Sequence, residues 1–385
     1  MNIIYRNYQP GDEVQLAELF NLCFHQSGVG FLRTPRGLKY RYVKRPNFNP
    51  NEIQIAEDTH KKLIVGAVFS TLEEIFLDGK QLLSGSINDV AVHPNYIKIG
   101  IAKTLMIQAL TFLKQQKCEL STLAADPKGH ARLKLYIPLG WRDYSSIRVW
   151  ISPNINFFRY LPLLSPLLFL FIPFYFYSKL KMRKIKKKMK DHGIHGSIIH
   201  PSTVGFNHSS SHNSFRNFYN KIGKQQRNGK ILISDQEWKH FRKQNIRSGL
   251  KPTFIALYKK ERIIGFASFL CQWIYFDKLG FKFPLATIRE WGVDHSITSN
   301  AQENSQIYNF LLDLIREAAL QRKCVTVLFG LTDQFPYFSR ILKKKKFIST
   351  SGGVFMINNI NPRNKQSGKI FKPFIMDIGE MFLHP

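Results

Sequence analysis

Ile87-Asn88-Asp89-Val90-Ala91-Val92-His93-Pro94-Asn95-Tyr96-Ile97-Lys98-Ile99-Gly100-Ile101-Ala102-Lys103 is the stretch that decides the fold. Its first six residues read as a β-strand, its middle as a short loop closed by Gly100, and its end as the start of a helix. Ala102, Leu105, Met106, Ala109, Leu110 and Leu113 recur at helical spacing and give that helix one buried face. Gly100 has no Cβ, so a positive φ is open to it and a ligand can approach its backbone. The unpaired N–H groups of the helix start, at the positive end of the macrodipole, form a ready site for phosphate.

A second block follows at a regular distance. Cys118 to Ala125 reads as the next strand, Asp126-Pro127-Lys128-Gly129 opens a helix, and that helix ends in Leu135-Tyr136-Ile137-Pro138-Leu139-Gly140-Trp141. Together the two blocks resemble motifs A and B of the GNAT superfamily of acetyl-CoA-dependent N-acyltransferases. Val92-His93-Pro94 matches the Val-x-Pro end of the motif A strand, and Gly100 and Ala102 match its phosphate loop. Ile97 stands where the family has Arg or Gln, which removes one side-chain contact to the donor. The resemblance covers roughly the first 150 residues.

Composition agrees with a folded chain. Hydrophobic residues make up 44% and aromatics 14% of 385 residues, which excludes a disordered chain and leaves room for two domains. Cys23, Cys118, Cys271 and Cys324 are far apart, so neither a disulfide framework nor a zinc site is expected; the histidines do not cluster at metal spacings, and the reducing cytosol is the simplest compartment. Met1 to Asn7 lacks the apolar core of a signal peptide, and export is not expected. The formal net charge of +30, from 56 Lys+Arg against 26 Asp+Glu, points to a polyanionic partner: a membrane surface, a nucleic acid or an acidic substrate. No aromatic-stacking or base-reading signature favours nucleic acid.

The charge is not evenly spread. Tyr160 to Tyr177 reads YLPLLSPLLFLFIPFYFY, and Lys179-Leu180-Lys181-Met182-Arg183-Lys184-Ile185-Lys186-Lys187-Lys188-Met189-Lys190 follows. Eighteen apolar residues reach the lower limit for a bilayer span, but Pro162, Pro166 and Pro173 oppose a straight one. The basic run belongs on the cytoplasmic side, and the half before it must meet a cytoplasmic donor. A re-entrant hairpin, an interfacial proline-broken helix or a helix buried between domains fits this. Attachment to the anionic inner face of the membrane is the expectation.

Beyond a polar passage from His195 to Asn213, strands are expected at Phe254–Lys259, Ile263–Tyr275, Pro284–Val293 and Cys324–Gly330. A helix is expected from Ser305 to Leu320, and a short one from Tyr337 to Leu342. This order resembles a second, degenerate copy of the same fold. After Val293 comes Asp294-His295-Ser296-Ile297-Thr298-Ser299-Asn300, with no glycine and a leading carboxylate. The expected fold class is α/β (α+β): two GNAT-like mixed-sheet domains joined by an apolar, polybasic segment. The divisions are 1–152, a linker at 153–192, 193–360 and a tail at 361–385.

The resemblance implies attack of an amine on the thioester of acetyl-CoA. Val90, Ala91 and Val92 would line the pantetheine, and the Val92 N–H would stabilise the oxyanion. The backbone of Lys98, Ile99, Gly100, Ile101, Ala102 and Lys103 would take the pyrophosphate. Asp89 would serve as base, with Glu73 and Glu74 as rivals and a purely structural hydrogen-bonding role as the alternative. Tyr136 would protonate the departing thiolate or, on the alternative reading, pack the helix. Cys23 and Cys118 read as core residues. A longer acyl or an aminoacyl donor, with a lipid or envelope-precursor acceptor, is the rival activity, and a basic nucleic-acid-binding protein the rival of another class. The amine acceptor and the oligomeric state are not encoded in any motif.

Overall fold

The computed structural model describes residues 2–25, 28–77, 80–154, 168–199, 216–222, 251–260, 262–296, 301–332 and 336–360, with a few isolated positions between them. The first half contains β1 (Ile3–Asn7), α1 (Glu13–Phe24), β2 (Val29–Gly30), α2 (Pro35–Leu38), β3 (Ile53–Asp58), β4 (Leu63–Leu77), β5 (Lys80–Val92), α3 (Ile101–Gln115), β6 (Leu120–Ala125) and β7 (Arg142–Pro153). The second contains α4 (Leu168–Asp191), β8 (Ile194–Ile199), β9 (Lys251–Lys259), β10 (Arg262–Phe276), β11 (Phe281–Val293), α5 (Ala301–Gln321), β12 (Thr326–Thr332), α6 (Pro336–Lys344) and β13 (Ile348–Asn359).

The strands form one mixed sheet in the order β1-β3-β4-β5-β6-β13-β7-β12-β11-β10-β9-β8, with β2 added beside β10. This order has the same composition from either end. β5 pairs parallel with β6 and β11 pairs parallel with β12; the other pairings are antiparallel. The last strand of each half has crossed over. β13 lies between β6 and β7, and β7 lies between β13 and β12. A division at 152 and 193 therefore cuts no gap in the sheet.

Burial follows the pleat. On one face α3 buries Leu105, Met106, Ala109 and Leu113 with Ile87, Leu123 and Met356, and α5 buries Ile307, Leu311, Leu314 and Ile315 with Ile288, Val327 and Phe329. The other face carries α1 and α2 over Ala67, Phe69 and Ala91, and the helical residues 216–222 over Phe254, Ala256 and Phe266.

The helices and strands expected in the second half form, and the sequence-based ends lie within a few residues of the observed ones. The polar passage opening at His195 starts instead as strand β8, since Ile194 and Ile198 alternate with His195 and Ser197 and the backbone pairs with β9. The rest of that passage, 200–213, lies outside the described residues. So do 161–167 of the apolar stretch and the tail 361–385. Helix α4 passes through Pro173 without a break. Among the described residues no helix is long and apolar enough to cross a membrane.

Candidate active site

β5 and β6 run side by side only from Ser84 and Leu120 to Ile87 and Leu123. β5 then continues to Val92 and β6 to Ala125, so the two strands part. At the same point the pairing of β4 with β5 slips: Ser70 faces Ile87 and Val68 faces Val90, leaving Phe69 opposite both Asn88 and Asp89. This β-bulge re-aims the strand. Ile87, Val90 and Val92 pack towards α3, while Asp89 and Ala91 face α1 and α2.

The backbone direction in the gap follows from one bond. The His93 N–H donates to the Val65 carbonyl across β4 at 2.8 Å. Successive strand N–H groups point to opposite sides, so the Val92 and Val90 N–H groups point away from β4, into the opening. The Val92 carbonyl on that side accepts the Cys23 thiol at 3.3 Å. Burial pushes that thiol's pKa up, which keeps it protonated and inert.

The loop after β5 is fixed from below and open above. Tyr96 is buried and donates to Asp58 at 2.8 Å; the Asn95 N–H donates to His93 Nδ1 at 3.2 Å. Lys98 has φ +68° and Gly100 φ +90°, both left-handed. A Cβ added at Gly100 would meet nothing within 4 Å, so glycine is needed there for its backbone angle and the space beside it is free. α3 begins at the next residue, and the Thr104 N–H donates to the Gly100 carbonyl at 3.1 Å. The loop from Ile97 to Gly100 is exposed.

Tyr136 ends a helical turn (Arg132–Tyr136) and packs in the same apolar cluster as Ile101, Leu105 and Ile87. Its ring meets Trp141 edge to face at 6.3 Å. Burial pushes its phenol up to about 12, so it holds its proton at neutral pH. The end of this segment is held by the other half of the chain: Asn358 of β13 donates to the Leu139 carbonyl at 3.1 Å.

Asp89 is buried and its carboxylate is committed. Oδ1 accepts from Arg33 Nη2 at 2.8 Å and Oδ2 from the Tyr42 hydroxyl at 2.7 Å. Arg33 lies against the rings of Phe20 and Phe24, and its backbone is tied both ways to the Asn21 side chain. Sequence reading missed Arg33 and Tyr42, which stand 56 and 47 residues from Asp89. Beside them on the same face, Asn88 donates to Thr71 at 2.7 Å, and Glu73 follows Thr71 by one pleat. Glu74 points to the other face and accepts from Gln81 at 2.6 Å.

The second half repeats the parting strands and the bulge, and residues 297–300 after them lie outside the described residues. β11 and β12 stay paired from Leu285 and Thr326 to Ile288 and Phe329, then part; a bulge falls at the same point, with Ser268 facing Glu290 and Phe269 facing Ile288. The Asp294 N–H donates to Ile264 at 2.9 Å as His93 does to Val65. The Asp294 carboxylate is buried and takes Lys221 at 2.5 Å and Arg262 at 3.5 Å. Two cations are thereby spent on an internal anion. Among the described residues no group of His, Cys, Asp and Glu could hold a metal ion.

Residues 4–143 match the family model described as an acetyltransferase (GNAT) domain, which bears out the resemblance carried by Val92-His93-Pro94 and Gly100. Searched by sequence, the chain matches none of the curated proteins. Among solved structures it is similar to an N-myristoyltransferase of Saccharomyces cerevisiae with bound myristoyl-CoA, at 12% identity and TM-score 0.64 over 97% of this chain and 89% of that one. It is also similar to a GCN5-related N-acetyltransferase of Anabaena variabilis, at 13% identity and TM-score 0.56 over 94% of this chain and 73% of that one. At these identities the likeness is one of fold, and the fold is that of the GNAT proteins.

Proposed function

From a first half that matches the GNAT acetyltransferase domain, we propose that the protein is a CoA-dependent acyltransferase. It takes an acetyl group from acetyl-CoA and passes it to an amine, working at the inner face of the cytoplasmic membrane. One observation carries this reading. A strand parts from its neighbour with the Val92 N–H aimed into the gap, and runs into a loop held left-handed at Lys98 and Gly100 before a helix.

Each piece has a task. The backbone from Lys98 to Lys103 receives the pyrophosphate, with the helix dipole behind it. Pantetheine lies along Val90, Ala91 and Val92, taking strand hydrogen bonds that β6 no longer takes. The Val92 N–H stabilises the oxyanion that forms as the amine nitrogen attacks the thioester carbon. The C–S bond then breaks, and the sulfur leaves as thiolate. A phenol held at about 12 gives a full proton to a thiolate of pKa ~8.5 only uphill, so Tyr136 acts as a hydrogen-bond donor to the leaving sulfur. Asp89, locked by Arg33 and Tyr42, holds the bulge in place. The amine's proton leaves along the polar face that carries Asn88, Thr71 and Glu73.

The second half acts as the non-catalytic copy of a tandem pair and shapes the acceptor site, since the sequence after Val293 has no glycine to match Gly100. A longer acyl donor and a lipid-borne acceptor is the second reading, favoured by the exposed Phe176, Tyr177 and Leu180 of α4. A thermal-shift series with acetyl-CoA, a long-chain acyl-CoA and free CoA tests both. Stabilisation by acetyl-CoA above that by free CoA supports the first, and preference for the long chain the second. No shift with any of the three removes the donor reading.

A further inference from the structure

Helix α4 has two apolar stripes on opposite sides. Met182, Ile185 and Met189 turn inward against the core beneath α5, and Lys186 pairs with Glu317 of α5 at 2.7 Å. At about 100° per residue, these three share one line of the helix. Phe176, Leu180 and Lys187 fall near the opposite line, flanked by Tyr177, Arg183 and Lys184. Phe176, Tyr177 and Leu180 are 59%, 65% and 56% exposed. The outward face is therefore apolar from Phe176 to Leu180 and basic in the turns that follow, where Arg183, Lys184 and Lys187 are exposed, with Lys179, Lys181 and Lys190 exposed at its sides. α4 contains no acidic residue before Asp191.

We propose that this outward face of α4 is a docking surface for an anionic lipid bilayer. The helix lies in the headgroup plane, Phe176, Tyr177 and Leu180 dip to the acyl boundary, and Arg183, Lys184 and Lys187 rest on lipid phosphates. The proposal rests on the membrane attachment given above and deepens it by naming the surface and the lipid charge. The side-by-side pattern selects the occupant. A single-stranded nucleic acid would use the cations and stack a base on an aromatic ring but offers no apolar layer for Leu180 between them, whereas a bilayer surface presents phosphates above an apolar layer. The inward stripe is spent on packing, so the orientation of the helix is fixed by the fold.

Co-sedimentation of the full chain with phosphatidylcholine vesicles, with and without phosphatidylserine, tests this. The full chain should bind the serine-containing vesicles and lose them with added salt. Changing Arg183, Lys184 and Lys187 to Gln should weaken binding about fivefold for each charge removed, and Phe176→Ser with Leu180→Ser should weaken binding to the same vesicles. Arg183, Lys184 and Lys187 face outward, so thermal unfolding of the Gln variant should be unchanged. Binding that persists at full strength in both variants overturns the assignment to α4 while leaving membrane attachment through another surface. No binding by the full chain overturns both. Loss of single-stranded RNA binding in the Gln variant alone, with vesicles ignored, assigns the face to nucleic acid and overturns the proposal. Acetyl-CoA affinity measured on the same samples keeps the donor reading separate.

Discussion

Replacing Asp89 by Asn would leave the Arg33 guanidinium buried without its anion, because both groups are almost wholly shielded from water. Breaking such a pair from one side costs about 3 kcal/mol or more, so Asp89→Asn should lower the urea midpoint strongly, and Tyr42→Phe by less. Were Asp89 instead a dispensable base, stability would hold while kcat fell. Tyr136→Phe should do the reverse: keep the fold and lower kcat by roughly 10²-fold with little change in the donor's KM. The raised phenol also fixes a sign. Unfolded tyrosine ionises near ~10 and the folded residue at about 12, so the unfolded chain sheds that proton first and Tyr136 lowers stability only as pH rises above ~10. A loss of activity between pH 8 and 10 that is shared by wild type and Tyr136→Phe is then not the ionisation of this residue.

The helices end on lysine where many chains use glycine. Lys117 after α3, Lys323 after α5 and Lys346 after α6 have φ of +60°, +61° and +61°. Each is followed by an N–H that reaches back five residues: Cys118 to Leu113, Cys324 to Ala319 and Phe347 to Leu342. Gly140, at φ +100°, makes the same end with Trp141 reaching Tyr136. The four caps are Schellman motifs, and a left-handed L-residue costs about 1–2 kcal/mol. Lys323→Gly should therefore raise stability by about 0.5–1 kcal/mol after the entropy of the freer unfolded chain is counted, seen as a higher melting temperature. An unchanged or lower value would mean that the lysine side chain does more than cap. These ends also show what the sequence makes legible. Gly100 and Val92-His93-Pro94 reveal themselves because their demands are local: a backbone angle, a strand end, a helix start. The sequence from Tyr337 to Phe347 already echoes the helix that ends at Leu139-Gly140, with Lys345-Lys346 in place of Leu-Gly, and the folded backbone adds that Lys346 takes glycine's conformation. β8 hides, since two isoleucines in a polar stretch become a strand only when β9 lies beside them.

At the scale of the molecule the exchange of β7 and β13 is the feature no local pattern encodes. The sequence reading places no strand at Ile348 to Asn359, where β13 forms between β6 and β7, some two hundred residues earlier in the chain. The expected division at 152 follows the chain, whereas the sheet follows contacts such as Phe355 and Ile357 with Leu120 and Ile147. Residues 1–152 expressed alone would leave the edge of β6 unpaired and Met356 and Phe355 missing from two cores. That fragment should lack a cooperative unfolding transition, and a stable, soluble fragment would contradict the exchange. The proposed task of the loop at Gly100 is to hold the donor's pyrophosphate. Titration calorimetry of acetyl-CoA into the full chain and its Gly100→Glu variant tests it. The full chain should bind saturably, and the variant, which sets a carboxylate beside the phosphates, should lose that binding on a fold that still melts cooperatively. Equal affinity in the two proteins would contradict it.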